Sequence, residues 1–186
     1  QDEMDLKMAV YAAMIDRVDQ NVGKLVAHLK ESNTFDNTLI FFLADNGGCQ
    51  EGGMFGRGNF YDVEKRNQEH ANSYGEAWAN ASNTPFREYK HFAHEGGISS
   101  PFIVSWPKGI DPKNNGRIER QPGHLIDLMS TCLDAADVKH PRNFDEHDIQ
   151  PLEGVSLLPA FRGGDLGRKD ALYFDHHLNG AVRDGK

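Results

Sequence analysis

Phe41-Phe42-Leu43-Ala44 is an apolar run that stops at Asp45-Asn46-Gly47-Gly48. Oxygen donors of this kind suit a hard cation, Ca2+ or Mg2+: the carboxylate supplies charge, and the amide a neutral oxygen. Gly47 and Gly48 let the backbone turn sharply and come close to a ligand. On this stretch alone a strand-ending turn is the commoner explanation, because Asp-Asn-Gly is ordinary turn chemistry. A second group of reactive side chains, Lys90, His91, His94 and Glu95, precedes Gly96-Gly97.

Those residues need elements to hold them. From Asp5 to Lys30, apolar residues such as Leu6, Val10, Val18, Val22 and Leu29 recur at helical spacing with charges between them, which predicts one long amphipathic helix. Thr38 to Ala44 is β-branched and aromatic, too short for a helix and apolar on both faces, as a strand inside a parallel sheet would be. Ligands of open α/β sheets collect outside the carboxyl ends of strands, where Asp45 and Asn46 fall. Between Asp45 and Ser100 runs a long Gly-, Asn- and Ser-rich tract, and loops of that length are functional or disordered. Its aromatic residues favour order.

Pro101 to Pro107 predicts a second short strand, and Pro122 introduces a helix over about His124–Ala136 with Leu125, Leu128, Met129 and Cys132 on one face. After the Gly-rich linker 163–167, Ala171–Phe174 and Gly180–Val182 read as two strands opening another sheet, which places a boundary near Gly167.

Composition narrows the partners. The 186 residues carry 20 Lys and Arg against 28 Asp and Glu, a net charge of −8, with no basic stripe, so nucleic acid is not expected. No apolar run reaches the roughly eighteen residues of a membrane span. Cys49 and Cys132 lie far apart and form no redox or metal pair. The chain opens directly into a helical pattern and ends at Val182-Arg183-Asp184-Gly185-Lys186 without a stop signal, which reads as a fragment of a longer protein.

Asn83-Thr84-Pro85-Phe86-Arg87, then Lys90 five residues before Glu95-Gly96-Gly97, all following a strand-end Asp-Asn-Gly, resembles the formylglycine-dependent sulfatases of the alkaline phosphatase superfamily. Tyr11, Ile15-Asp16 and Val18-Asp19 in the first helix, His124-x-x-Asp127, Leu152-Glu153-Gly154 and the closing Ala181-Val182-Arg183 follow in that family's order. The resemblance covers nearly the whole chain and implies an α/β fold: the latter half of an alkaline-phosphatase-like α/β/α sandwich over residues 1–166, then the start of a small C-terminal antiparallel subdomain over 167–186. It implies that Asp45 and Asn46 ligate an active-site Ca2+, with Mg2+ the lesser alternative. Lys90 would bind the sulfate group and steady charge on the departing oxygen. His94 and His176 are candidate substrate contacts, with His91 and His177 beside them.

In that family the nucleophile is a formylglycine made from Cys or Ser in C-x-P-x-R or S-x-P-x-R. Neither pattern occurs here, and Asn83 occupies that place in the nearest imitation. The expectation is therefore a sulfuric ester hydrolase, acting on aryl or carbohydrate sulfates, whose formylglycine lies in an upstream, N-terminal part of the same protein. This segment alone is expected to be inactive. The alternatives are a catalytically inactive sulfatase-like binding protein and a phosphodiesterase or phosphonate hydrolase of the same superfamily. Calcium dependence and the resemblance suggest a secreted, periplasmic or lysosomal place. For His124 and Asp127 a structural hydrogen bond is expected, and for Trp78 and Phe60-Tyr61 packing rather than stacking on a sugar.

Overall fold

The computed structural model describes residues 2–59, 61 and 72–185. The order of elements is α1 (Asp2–Glu31), β1 (Ile40–Leu43), α2 (Gly75–Ser82), α3 (Glu95–Ile98), β2 (Phe102–Ser105), α4 (Asp127–Ala135), β3 (Asn143–Phe144), β4 (His147–Asp148), α5 (Leu158–Phe161), β5 (Leu172–His176) and β6 (Asn179–Arg183). The strands form three two-stranded sheets, β1 with β2, β3 with β4 and β5 with β6. No described helix is long and apolar enough to cross a membrane. The chain divides into two compact units, one of Gln1–Phe35, Phe41–Val104 and Phe174–Ala181, the other of Asp36–Ile40, Ser105–Tyr173 and Val182–Lys186.

In the first unit, the helical periodicity of the opening residues gives α1, with Asp2, Glu3 and Asp5 in its first turn and His28 and Lys30 in its last, each sign opposite to the helix-end charge it faces. Its N-terminal half is anchored. Tyr11 stacks on Tyr74 at 4.8 Å, Trp78 Nε1 donates to the Met4 carbonyl at 2.9 Å, and Lys7 Nζ donates to the Phe55 carbonyl at 2.8 Å. Trp78 is thus held against α1 as expected, whereas Tyr61, for which packing is also expected, is 68% exposed, and Phe60 lies outside the described residues. Further along α1, Met14, Ile15, Val18 and Leu25 remain exposed. The 3.6-residue apolar period was enough to form the helix, but only part of the stripe finds a partner.

β1 forms where the β-branched and aromatic run predicts it, yet its faces are not both buried: Phe42 is 43% exposed, and Ile103 of β2 59%. Among the described residues the sheet has two strands only, and side chains such as Phe42 and Ile103 stay open to solvent. Phe41 and Phe102 still meet across the pair, with centroids 5.5 Å apart.

The second unit is organised by a buried acid. Asp127 and Thr131, one turn apart on α4, are both fully buried. The Asp127 carboxylate accepts N–H bonds from His124 at 2.8 Å and Val155 at 3.0 Å, and it pairs with the Arg168 guanidinium. Thr131 Oγ1 donates to the Asp127 carbonyl at 2.7 Å and accepts the Leu157 N–H at 2.9 Å. Gly154 lies so close that a Cβ there would overlap the Ile126 carbonyl. Residues 154–157 are thereby clamped to α4, and Leu157, Leu158, Phe161 and Leu172 are buried beside them. α4 starts at Asp127 rather than near His124 because the preceding turn is closed by tighter i→i−3 bonds, from the Asp127 N–H to the His124 carbonyl and from the Leu128 N–H to the Leu125 carbonyl. The expected structural role of His124 and Asp127 is what the bonds show.

At β5–β6 the connection is only His177-Leu178, and a two-residue link permits antiparallel pairing alone. Both strands stand where the sequence places them.

Asp127→Ala would leave Arg168 without its buried partner, so denaturant unfolding should show a loss of about 3–5 kcal/mol. Exchange of the same residue for Asn should cost less, since Asn keeps one acceptor for a backbone N–H.

Candidate functional site

Asp45 and Asn46 follow β1 by one residue, in a bend that leaves Asp45 exposed and Asn46 half-buried. Asn46 Nδ2 donates to the Gly47 carbonyl at 3.1 Å, so the NH2 is engaged and the oxygen is the end of the carboxamide that can meet a cation. Past Asn46 the chain is locked to the loop carrying Lys90. The Gly47 N–H donates to the Gly97 carbonyl at 3.0 Å, and the Lys90 N–H to the Gly48 carbonyl at 3.1 Å. Asn83 bridges the same two segments, accepting the Gly48 N–H at 3.1 Å and donating Nδ2 to the Glu88 carbonyl at 3.0 Å.

The glycines of the motif are what allow this. A Cβ on Gly47 would overlap the Gly96 carbonyl oxygen, one on Gly96 the Glu88 carbonyl, and one on Gly97 the Phe92 carbonyl. Asp-Asn-Gly and Glu-Gly-Gly are thus two halves of one interlocked backbone contact. The close approach needs Gly for want of a side chain, not for an unusual φ.

Lys90 Nζ donates to Glu51 Oε1 at 3.0 Å, and His91 Nε2 lies 3.8 Å from the same oxygen. Lys90 is held above the ordinary lysine value, first by that hydrogen bond, against desolvation, with the negative charges of Cys49, Glu51 and Asp45 adding to it. Glu51 is held below the ordinary carboxylate value, chiefly by the bond to Lys90 and its charge. Asp45 thus lies within electrostatic reach of the Lys90 ammonium. Both partners of the pair are partly exposed, so water and salt screen it.

The four histidines of interest part company. His91 Nδ1 and His176 Nε2 stand 2.8 Å apart with rings nearly parallel, and His177 adjoins both. His94 is exposed at the start of α3, its ring against Phe92, and is not in that group. Glu51 and the bridging role of Asn83 were not visible in the sequence. Glu51 sits between glycines with no periodicity around it, and nothing local signals a partner 39 residues away.

The Sulfatase family model matches residues 1–138, and the chain belongs to the sulfatase family. It is 32% identical over 193 residues to an uncharacterized sulfatase of Schizosaccharomyces pombe, covering 96% of this chain and 34% of that protein. Against the arylsulfatase of Klebsiella aerogenes the identity is 34%, over 81% of this chain and 34% of the relative. Against the N-acetylgalactosamine-6-sulfatase of Canis lupus familiaris it is 29%, over 88% and 25%. The chain thus spans about a third of the length of these relatives, or less. A solved structure titled for the metabolism of multiple glycosaminoglycans by Bacteroides thetaiotaomicron superposes with a TM-score of 0.57 at 20% identity, over 90% of this chain and 30% of its own. The fold is accordingly α/β and alkaline-phosphatase-like.

Two outcomes follow from this geometry. Gly97→Ala should lower thermal stability by about 1–3 kcal/mol, because the added methyl must push apart backbone that cannot yield. Glu51→Gln should bring the Lys90 titration down toward the ordinary lysine value, read by NMR of the lysine side-chain Cε. The sign is fixed by the shifts: the Glu51 contribution is present above the ordinary carboxylate range and lost as pH falls through its lowered value, while that of Lys90 is present below the ordinary lysine value and lost as pH rises through its raised one.

Proposed function

We propose that this chain supplies the cation-binding and sulfate-binding part of a sulfate-ester hydrolase. The observation that carries the reading is the double tie of Lys90, by backbone to Gly48 and by side chain to Glu51, to the loop that begins with Asp45 and Asn46. Two hard oxygen donors beside an ammonium group fit a cation and an oxyanion held together. Asp45 and Asn46 would hold Ca2+, as two of the six to eight oxygen ligands it takes, the rest coming from elsewhere in the protein and from water. Bound there, the ion polarises the sulfate group and offsets its charge.

Lys90 binds a sulfate oxygen and stabilises negative charge as it grows on the departing ester oxygen. Glu51 keeps that ammonium aligned before substrate arrives, and the sulfate competes with it for Nζ. Because the carboxylate is exposed and salt-screened, it can release the lysine without leaving a buried charge behind. The nucleophile is assigned to a formylglycine in an N-terminal part of the same protein, since no C-x-P-x-R or S-x-P-x-R occurs in these 186 residues. The segment by itself is then inactive. Aryl and carbohydrate sulfates are the substrate classes, in keeping with relatives named for each.

Release of inorganic sulfate from an aryl sulfate and from N-acetylgalactosamine 6-sulfate, measured on the protein as its source makes it, tests this. Lys90→Ala should lower kcat/KM by about 10²–10³-fold. A variant that keeps the wild-type rate would remove Lys90 from the reaction and overturn the reading.

A further inference from the structure

We propose that His91, His176 and His177 form a binding site for a borderline divalent transition-metal ion, with Zn2+ as its type, built from residues other than Asp45 and Asn46. One ring nitrogen of each histidine lies within 4.8 Å of those of the other two. The cluster is made by backbone geometry that ordinary strands do not have. Consecutive strand residues point to opposite faces, so His176 and His177 should diverge. Instead His177, just past the end of β5, adopts a φ of 53°, and its ring comes to 4.3 Å from that of His176. His91 is likewise left-handed, at φ 81°, and turns its Nδ1 to His176 Nε2. Two histidines in a backbone region that non-glycine residues seldom adopt converge on a third, and such strain gathers at ligand sites.

Imidazole nitrogens select Zn2+, Cu2+ or Ni2+ and not the hard Ca2+ or Mg2+. Zinc–nitrogen bonds of about 2.0–2.1 Å set tetrahedral nitrogen pairs at about 3.3 Å, between the 2.8 Å of His91 Nδ1 to His176 Nε2 and the 4.8 Å that bounds the cluster, so the exposed rings of His176 and His177 turn to bring all three onto one ion. The fourth position is open to water. With Nδ1 facing the cluster, His91 Nε2 lies 3.8 Å from Glu51 Oε1, beyond hydrogen-bonding distance but within reach of a carboxylate of the kind that orients metal-bound histidines. Glu51 in turn is held by Lys90.

The test is calorimetric titration of Zn2+ into chelator-stripped protein, with excess Ca2+ present to fill hard-cation sites. One Zn2+ per chain should bind, and His91→Asn, His176→Ala and His177→Asn should each weaken it by about tenfold or more. Asn is chosen at positions 91 and 177 because it tolerates left-handed backbone. Circular dichroism of each variant should match the parent, and Co2+ in place of Zn2+ should give the visible absorption of a tetrahedral nitrogen site. Absence of saturable Zn2+ binding, or unchanged affinity in the His176→Ala/His177→Asn double variant, would overturn the proposal. Neither result depends on ester hydrolysis.

Discussion

The contact on which the candidate site depends is the seam where Gly47, Gly96 and Gly97 lie against carbonyl oxygens of neighbouring chain. No side chain of the site makes that seam, yet it joins the loops that carry Asp45, Asn46 and Lys90. It sets the strand-end loop of Asp45 and Asn46 beside the loop of Lys90, and the backbone bonds Gly47 to Gly97 and Lys90 to Gly48 hold the register. Asn83 adds a clasp that uses both ends of its carboxamide. The candidate site is thus assembled from main chain first.

The second unit solves a related problem by the opposite means. There a fully buried carboxylate, Asp127, gathers two backbone N–H groups and a guanidinium and so draws the 154–157 segment onto α4. Burial of that charge is tolerable only because its hydrogen-bonding capacity is met on several sides. One unit closes around missing side chains, the other around a side chain that is everywhere satisfied.

Much of this was legible in the residues. α1, β1 and the β5–β6 pair follow from periodicity, β-branching and turn chemistry, all of which act over a few residues. The position of Asp45 at a strand end was legible for the same reason. What escaped was contact over long separations: Glu51 reaching Lys90, Asn83 bridging two loops, and His91 meeting His176. The burial of β1 was overread, because an apolar run reports what a strand can bury and not what covers it. The start of α4 shifted for a local reason, since the turn from His124 is closed by i→i−3 bonds and not by helical i→i−4 ones.

α1 carries one further implication. Its first turns are bound to Phe55, Tyr74 and Trp78, while the stretch bearing Ile15, Val18 and Leu25 is exposed and rests on intrinsic helical preference. Amide hydrogens along this single continuous helix would therefore exchange with solvent at graded rates, slow near Lys7 and Tyr11 and faster beyond Val18. A helix uniform in its geometry is then uneven in its lifetime, and its far half is the part of the first unit most readily remodelled without disturbing the Asp45–Lys90 seam.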